Sequence, residues 1–317
     1  MYSWIVHHGQ KLDTERRSVF RQPGLRVHKG GAEIVSTASA LKLGLIGDNI
    51  AASQAPRLHQ IAGTLTGIDV SYDRLIPLEM GCDFDTVFAT CRQKGYRGVN
   101  ITLPYKEKAA KKVQISDPMV AAIGAVNTVL FEDSGPVGLN TDYTGFIAAY
   151  RTLRERSTPG TCCLIGTGGV GRAVAFGLAA LGAQEIRLVD LDINKAEALG
   201  QELSRTYQAT RIVCSTDAAA CAKDAQGILN GTPIGMVGYG GTPLPAEAII
   251  GAEWAFDAVY TPQETQFLKD AETAGLMILS GYELFFYQGV HAWHHFSGTS
   301  VDETTLRTQL LAGQIHH

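Results

Sequence analysis

The chain has 317 residues, 45% of them hydrophobic and 18% charged, with a formal net charge of −4. That length suits one large or two ordinary domains, and the charge excludes a broad basic surface for nucleic acid. No apolar stretch reaches the ~18 residues that a membrane-spanning helix needs. The six cysteines form no Cys-x-x-Cys and have no histidine pair nearby at metal spacing, so reduced thiols and no metal are expected.

Residues 1–41 lack a continuous apolar core and carry Asp13 and Glu15, which argues against a signal or transit peptide; they are read as an N-terminal extension. Regular structure is predicted from Leu41. "LKLGLIGDN" is an apolar run ending in turn residues, a strand and then a loop. "APRLHQIAGTLTG" has helical spacing and a closing glycine, "VSYDRLIP" alternates like a strand, and "CDFDTVFATCRQKG" is an amphipathic helix ending at Gly95. "YRGVNITLP" is a strand, "KEKAAKKVQ" a helix after Pro104, and "AVNTVLFEDSGPVGLNTD" a hairpin with an Asp-Ser-Gly turn. "TDYTGFIAAYRTLRERSTPG" is a helix leading into "TCCLIGTGGVGRAVAFGLAALGAQEIRLVDLD", a βαβ unit. Further strands are expected at 211–214, 227–230, 254–259 and 276–279, and helix over 283–313. The whole is an α/β chain of two domains. One is a substrate domain of 42–143 completed by 281–317, and the other is a doubly wound Rossmann domain of 144–280.

Two stretches carry chemistry. In "LIGTGGVGRA" the pattern Gly166-x-Gly168-x-x-Gly171 follows a buried strand and opens an apolar helix, the context in which that pattern binds a dinucleotide. Gly166 makes the tight turn, Gly168 admits the pyrophosphate, and Gly171 lets helix and strand pack closely. Gly169 and Val170 offer the helix N-terminus to the phosphates. Asp190, nineteen residues after Gly171, can accept hydrogen bonds from a ribose 2′-hydroxyl and would repel a 2′-phosphate, so NAD is expected in preference to NADP. The plainer reading is that Asp190 caps the next helix.

The second stretch is "GVNITLPYKEKAAKK". Lys108, Lys111 and Lys112 have helical spacing and read as a solvated face, whereas Lys106 stands at a strand exit behind a proline. A lysine beside an apolar wall is desolvated and can serve as acid or base near neutral pH, given a carboxylate to orient it. Asp142, at the seam between the two expected domains, is that candidate.

These motifs, in this order, resemble the shikimate/quinate dehydrogenase family: "GLIGDNIAASQAPRLH", "GVNITLPYKE", "GAVNTV", "GLNTDYTGF", "GTGGVGRA", "NGTPIGM", "DAVYTPQETQFLKDAETAG" and "YQG". The resemblance covers 42–290. It implies that Lys106 and Asp142 are the catalytic pair, the lysine taking the proton of a substrate hydroxyl as hydride leaves for the nicotinamide. It implies that Asn100, Thr102, Asn127 and Gln288 bind hydroxyls of a polyhydroxy cyclic acid, and that Ser53, Ala55 and Tyr260 lie at its carboxylate end. Thr232, Met236 and Gly281 would lie near the cofactor. The family commonly has Ser-x-Ser-Pro where this chain has Ser53-Gln54-Ala55-Pro56, so one hydroxyl is missing. His59 is expected to be structural. The resemblance implies a cytoplasmic enzyme, monomer or homodimer, acting on shikimate, quinate or both. Alternatives are a dehydrogenase for a modified ring such as an aminoshikimate, and a ligand sensor without turnover.

Overall fold

A computed structural model describes residues 40–312. Residues 1–39 of the expected extension and the last five residues lie outside the described part. Two sheets organise the rest. The first has the order β2-β1-β3-β4-β5, made of β1 (Leu41–Ile46), β2 (Val70–Leu75), β3 (Gly98–Ile101), β4 (Thr128–Glu132) and β5 (Gly135–Leu139). β1, β2 and β3 are parallel, joined through α1 (Ala55–Thr66) and α2 (Phe84–Gln93), and β4–β5 is the antiparallel hairpin expected around Asp133-Ser134-Gly135.

The second sheet is entirely parallel, with order β11-β10-β9-β6-β7-β8. Its strands are β6 (Thr161–Ile165), β7 (Glu185–Val189), β8 (Arg211–Ser215), β9 (Gly227–Asn230), β10 (Trp254–Asp257) and β11 (Met277–Leu279). The strand order reverses between β6 and β9, and a crevice for a ligand opens outside the carboxyl ends of strands at such a point. α6 (Gly169–Ala180) begins there, and α8 (Ala218–Ala222) and α9 (Gln266–Thr273) lie in the later connections of the same sheet.

Each sheet is covered on both faces, as parallel strands with near-continuous apolar runs require. α1 packs one face of the first sheet together with α10 (Gly281–Ser297) and α11 (Glu303–Ala312). Leu58, Phe286, Trp293, Phe296 and Leu306 are sealed among Leu43, Leu45 and Tyr72 there. The C-terminal helices therefore return to the N-terminal sheet. α5 (Thr141–Arg154) joins the two sheets and lies against both α6 and α10. Its crossing with α10 depends on Gly145, where a Cβ would fall 2.7 Å from the Gln288 nitrogen. Thr144 and Thr152 hydrogen-bond across the same seam to His291 and Tyr287.

Several details differ from the sequence reading. α3 (Lys106–Ala110) covers only the first five residues of the expected helix "KEKAAKKVQ". A short helix α4 (Pro118–Ile123), capped by Asp117 and closed by Gly124 in the left-handed conformation, precedes the hairpin. β10 ends at Asp257, because 258–262 turn away and contain a cis Thr261–Pro262 bond. The C-terminal helical stretch breaks at Gly298 into α10 and α11.

His59 is buried in the first sheet's core, stacked on Tyr72 at 5.1 Å and edge-on to Phe296, in keeping with a structural role. Burial pushes its imidazole down to about 4, against an opposing pull from Asn100. The folded state therefore disfavours the charged ring, and stability is lost as pH falls below the unfolded value toward 4. His59→Phe keeps the stacking and removes the titration. Its stability relative to the parent should rise by about 3 kcal/mol between pH 7 and pH 4, read from urea midpoints at each pH; a constant difference would contradict this.

Candidate active site

The central contact is an ion pair. Lys106 is the first residue of α3 (Lys106–Ala110), placed by the bend Leu103–Pro104 at the exit of β3. Asp142 lies in the first turn of α5, behind the cap that Asn140 makes by accepting from the Tyr143 N–H. The Lys106 Nζ donates to Asp142 Oδ2 at 2.6 Å, with side-chain exposures of 14% and 7%. Lys108 and Lys112, by contrast, pair with Asp85 on a more open face.

Neutral hydrogen-bonding groups surround this pair. The buried Asn100 accepts from Tyr72 Oη at 2.9 Å and donates to Thr128 Oγ1. The buried Asn127 donates to Thr141 Oγ1 and to Gln288 Oε1, and it accepts from the Thr141 N–H at 2.7 Å. Thr102 is half-buried beside Gly47. Thr128, Thr141 and Tyr72 complete the network. Sequence reasoning had not singled them out, although Thr141 stands inside the "GLNTDYTGF" stretch and Tyr72 on the alternating strand "VSYDRL".

At the far end, Ser53 Oγ lies 3.3 Å from Tyr260 Oη, and it accepts from the Ala55 N–H. Tyr260 stacks on Phe285 at 4.7 Å, and burial raises its phenol above the ordinary range. Ala55 is buried at the start of α1.

The glycine turn faces the same cleft. Gly166 has φ +94°, and a Cβ on Gly171 would meet the Gly166 oxygen at 2.0 Å, so strand and helix approach as closely as a dinucleotide turn requires. Gly168 is the N-cap of α6 and has open space where a Cβ would stand. Val170 and Gly171 follow in the first turn, whose N–H groups have no intrahelical acceptor. Gly169 abuts the Lys106 side chain, since a Cβ there would come within 2.9 Å of the lysine Cβ. The glycine turn and the ion pair are thus in direct contact.

Asp190 ends β7 and accepts from the Thr167 N–H and hydroxyl through Oδ2 and from the Asp192 N–H through Oδ1. Burial raises its carboxyl, and these hydrogen bonds outweigh it and hold the group below the usual carboxylate range. The cap of α7 (Ile193–Thr206) is Asp192, so Asp190 is not the helix cap. A lone-pair site remains for a ribose hydroxyl. Open space at Gly168, helix N–H groups and an ionised carboxylate at the next strand end together fit a dinucleotide.

A buried carboxylate shapes the neighbouring loop. Asp257 accepts from Asn230 Nδ2, the Val259 N–H and Thr265 Oγ1. Asn230 in turn accepts from the Thr232 N–H and hydroxyl. Burial pushes the Asp257 carboxyl up to about 6 despite these donors. Met236 follows in the same loop, its N–H bonded to Pro233 O. Gly281 is packed at the head of α10 against the Asp257 and Val259 carbonyls. Among the described residues no cluster of three or more His, Cys, Asp or Glu could hold a metal ion, and no helix is long and apolar enough to cross a membrane.

A family model for the shikimate dehydrogenase substrate-binding domain matches residues 45–129. A quinate/shikimate dehydrogenase (NAD(+)) of Corynebacterium efficiens is 33% identical over 86% of this chain and 98% of its own. A shikimate dehydrogenase (NADP(+)) of Pseudarthrobacter chlorophenolicus is 32% identical over 85% of this chain and 94% of its own. Among solved structures, quinate dehydrogenase from Corynebacterium glutamicum in complex with NAD superposes with a TM-score of 0.77 at 31% identity, covering 86% of this chain and 99% of that one.

Replacing Asp257 with Asn leaves one acceptor and one donor facing three donors. Asp257→Asn should cost about 1–3 kcal/mol of stability and weaken dinucleotide binding through the Thr232 loop, measured by urea unfolding and by titration of protein fluorescence. Unchanged stability and affinity would show that the loop does not depend on this carboxylate.

Proposed function

This chain belongs to the shikimate/quinate dehydrogenase family, and from that premise we propose that it reversibly oxidises a ring hydroxyl of shikimate or quinate to the ketone with NAD as acceptor. The observation that carries the reading is the Lys106–Asp142 pair, nearly closed to solvent and packed against Gly169 of the glycine turn. A proton-transfer group and the site for a dinucleotide are thereby side by side, as oxidation of an alcohol requires.

The nicotinamide, when bound, supplies the hydride acceptor. The protein's part is the proton and the placement. Lys106 Nζ, as the free amine, takes the proton of the reacting hydroxyl and becomes the ammonium that pairs with Asp142, and in the reverse direction returns it. Asp142 fixes the amine in the first turn of α5 and offers its other oxygen to the same hydroxyl. Asn100, Thr102, Asn127 and Gln288 meet the remaining hydroxyls. Being neutral and already cross-linked to one another, they suit a polyol and would be left unpaired by an analogue lacking a hydroxyl. Ser53 and Tyr260 meet the carboxylate end, with Ala55 contributing no hydroxyl.

Asp190 supports NAD. A 2′-phosphate would have to approach a carboxylate held in its ionised form, and the charge of Lys195, felt at that carboxylate, offsets it only in part. The relatives include both cofactor types, so their names leave this preference to be argued from Asp190 alone.

Initial rates with shikimate and quinate, each with NAD and with NADP, test both halves of the proposal. NAD should give the higher kcat/KM with at least one acid, and Asp190→Ala should narrow the NAD-to-NADP ratio at least tenfold. NADP working better in the parent enzyme would overturn the Asp190 argument, and no turnover in any of the four combinations would overturn the substrate.

A further inference from the structure

The missing hydroxyl at Ala55 leaves the carboxylate end of the site with two neutral partners, Ser53 and Tyr260. A substrate carboxylate is a full charge, and the amine of Lys106 is already matched by Asp142 at the other end. Arg74, on β2, donates from Nη2 to the Ser53 carbonyl at 2.7 Å. Its positive charge is felt by both the Tyr260 and the Tyr72 phenols. Strand alternation explains the placement. Tyr72 and Arg74 point to the same face of β2, where Tyr72 hydrogen-bonds Asn100, while Asp73 between them turns to the opposite face and accepts from Tyr96. Among the described residues no carboxylate lies within 4 Å of Arg74. One of its five N–H donors is spent on Ser53, and a planar guanidinium can offer two parallel donors to a carboxylate.

We propose that Arg74 is a specificity-determining residue of this enzyme, supplying from β2 the charge that recognises the substrate carboxylate beside Ser53 and Tyr260, where Ala55 offers none. This rests on the proposed function, since it needs an acid substrate in the same cleft. The contribution is to binding rather than to the chemical step, because Arg74 bonds the Ser53 carbonyl and forms no ion pair or hydrogen bond with Lys106 or Asp142. It is also moderated by solvent, because Arg74 is exposed at the mouth of the site. Its effect should therefore read as KM, and only for a substrate that carries the charge.

The discriminating probe is a pair of substrates differing in that charge alone: the free acid that the parent enzyme turns over, and its neutral methyl ester. Arg74→Met keeps the aliphatic stem along β2 and removes the charge. It should raise KM for the acid roughly threefold to tenfold, leave kcat within about twofold, and leave KM for the ester unchanged, so the acid-over-ester preference collapses. Arg74→Lys should keep part of that preference. Ala55→Ser placed on Arg74→Met should recover some acid affinity by restoring a hydroxyl. If Arg74→Met keeps the parent's acid-over-ester ratio, or weakens both substrates alike, Arg74 serves only to hold Ser53 and the assignment fails, while turnover by the parent leaves the proposed function standing. If the parent turns over neither shikimate nor quinate, the proposed function fails and this assignment falls with it.

Discussion

A lysine amine and an aspartate carboxylate, both nearly closed to solvent, cannot be placed beside each other cheaply. Removing such a pair from water costs several kcal/mol per ion, and only close geometry and further hydrogen bonds offset it. Here the geometry is fixed from both sides. Lys106 is delivered by the proline bend at the end of β3, and Asp142 by the capped first turn of α5. α5 is held by its close crossing with α10 at Gly145 and by Phe146, which fills the space over Gly177 of α6. The ion pair thus sits where the two sheets are joined. A shift of either sheet would leave a buried charge without its partner, which is why the contact sets the register of the site.

Polar chemistry is graded outward from that pair. Nearest to it are amides and hydroxyls that satisfy one another, Asn100 with Tyr72 and Thr128, and Asn127 with Thr141 and Gln288. Such a network is rigid because each member is already bonded, and it offers a polyol spare lone pairs and protons in fixed directions. Beyond it, on the side of the second sheet, two carboxylates have separate duties. Asp190 stays ionised through the donors of Thr167, while the more deeply buried Asp257 ties Asn230 and Thr265 to one point and so fixes the Thr232 loop.

Much of this was legible in the sequence, and the reasons are local. The βαβ unit around Gly166 announces itself because buried parallel strands are continuous apolar runs and the turn needs glycine. The hairpin reads from an Asp-Ser-Gly turn between alternating strands. Lys106 stands out because it directly follows a proline bend while its neighbours repeat at helical spacing. What was not legible depends on the tertiary arrangement. α4 has six residues, too few for a periodic signal, and is defined by the Asp117 cap and Gly124. The break at Gly298 is a left-handed cap within a stretch whose composition stays helical on both sides. Arg74 looks in sequence like any exposed cation on an edge strand, and only the fold brings it to the Ser53 carbonyl. Thr141 reads as an ordinary first helical residue until Asn127 is found against it.

Lys106 and Asp142 act as one unit in proton transfer, and a double-mutant cycle on turnover tests that most directly. Lys106→Met, Asp142→Asn and the double variant are compared for kcat and KM with the preferred acid and NAD, together with NAD affinity. Each single variant should lower kcat by roughly 10²–10⁴, with KM and NAD affinity within a few-fold of the parent, and the double variant should be no worse than the worse single, as groups acting together are non-additive. Losses that multiply in the double variant, or a Lys106→Met enzyme that keeps kcat within about threefold, would contradict it.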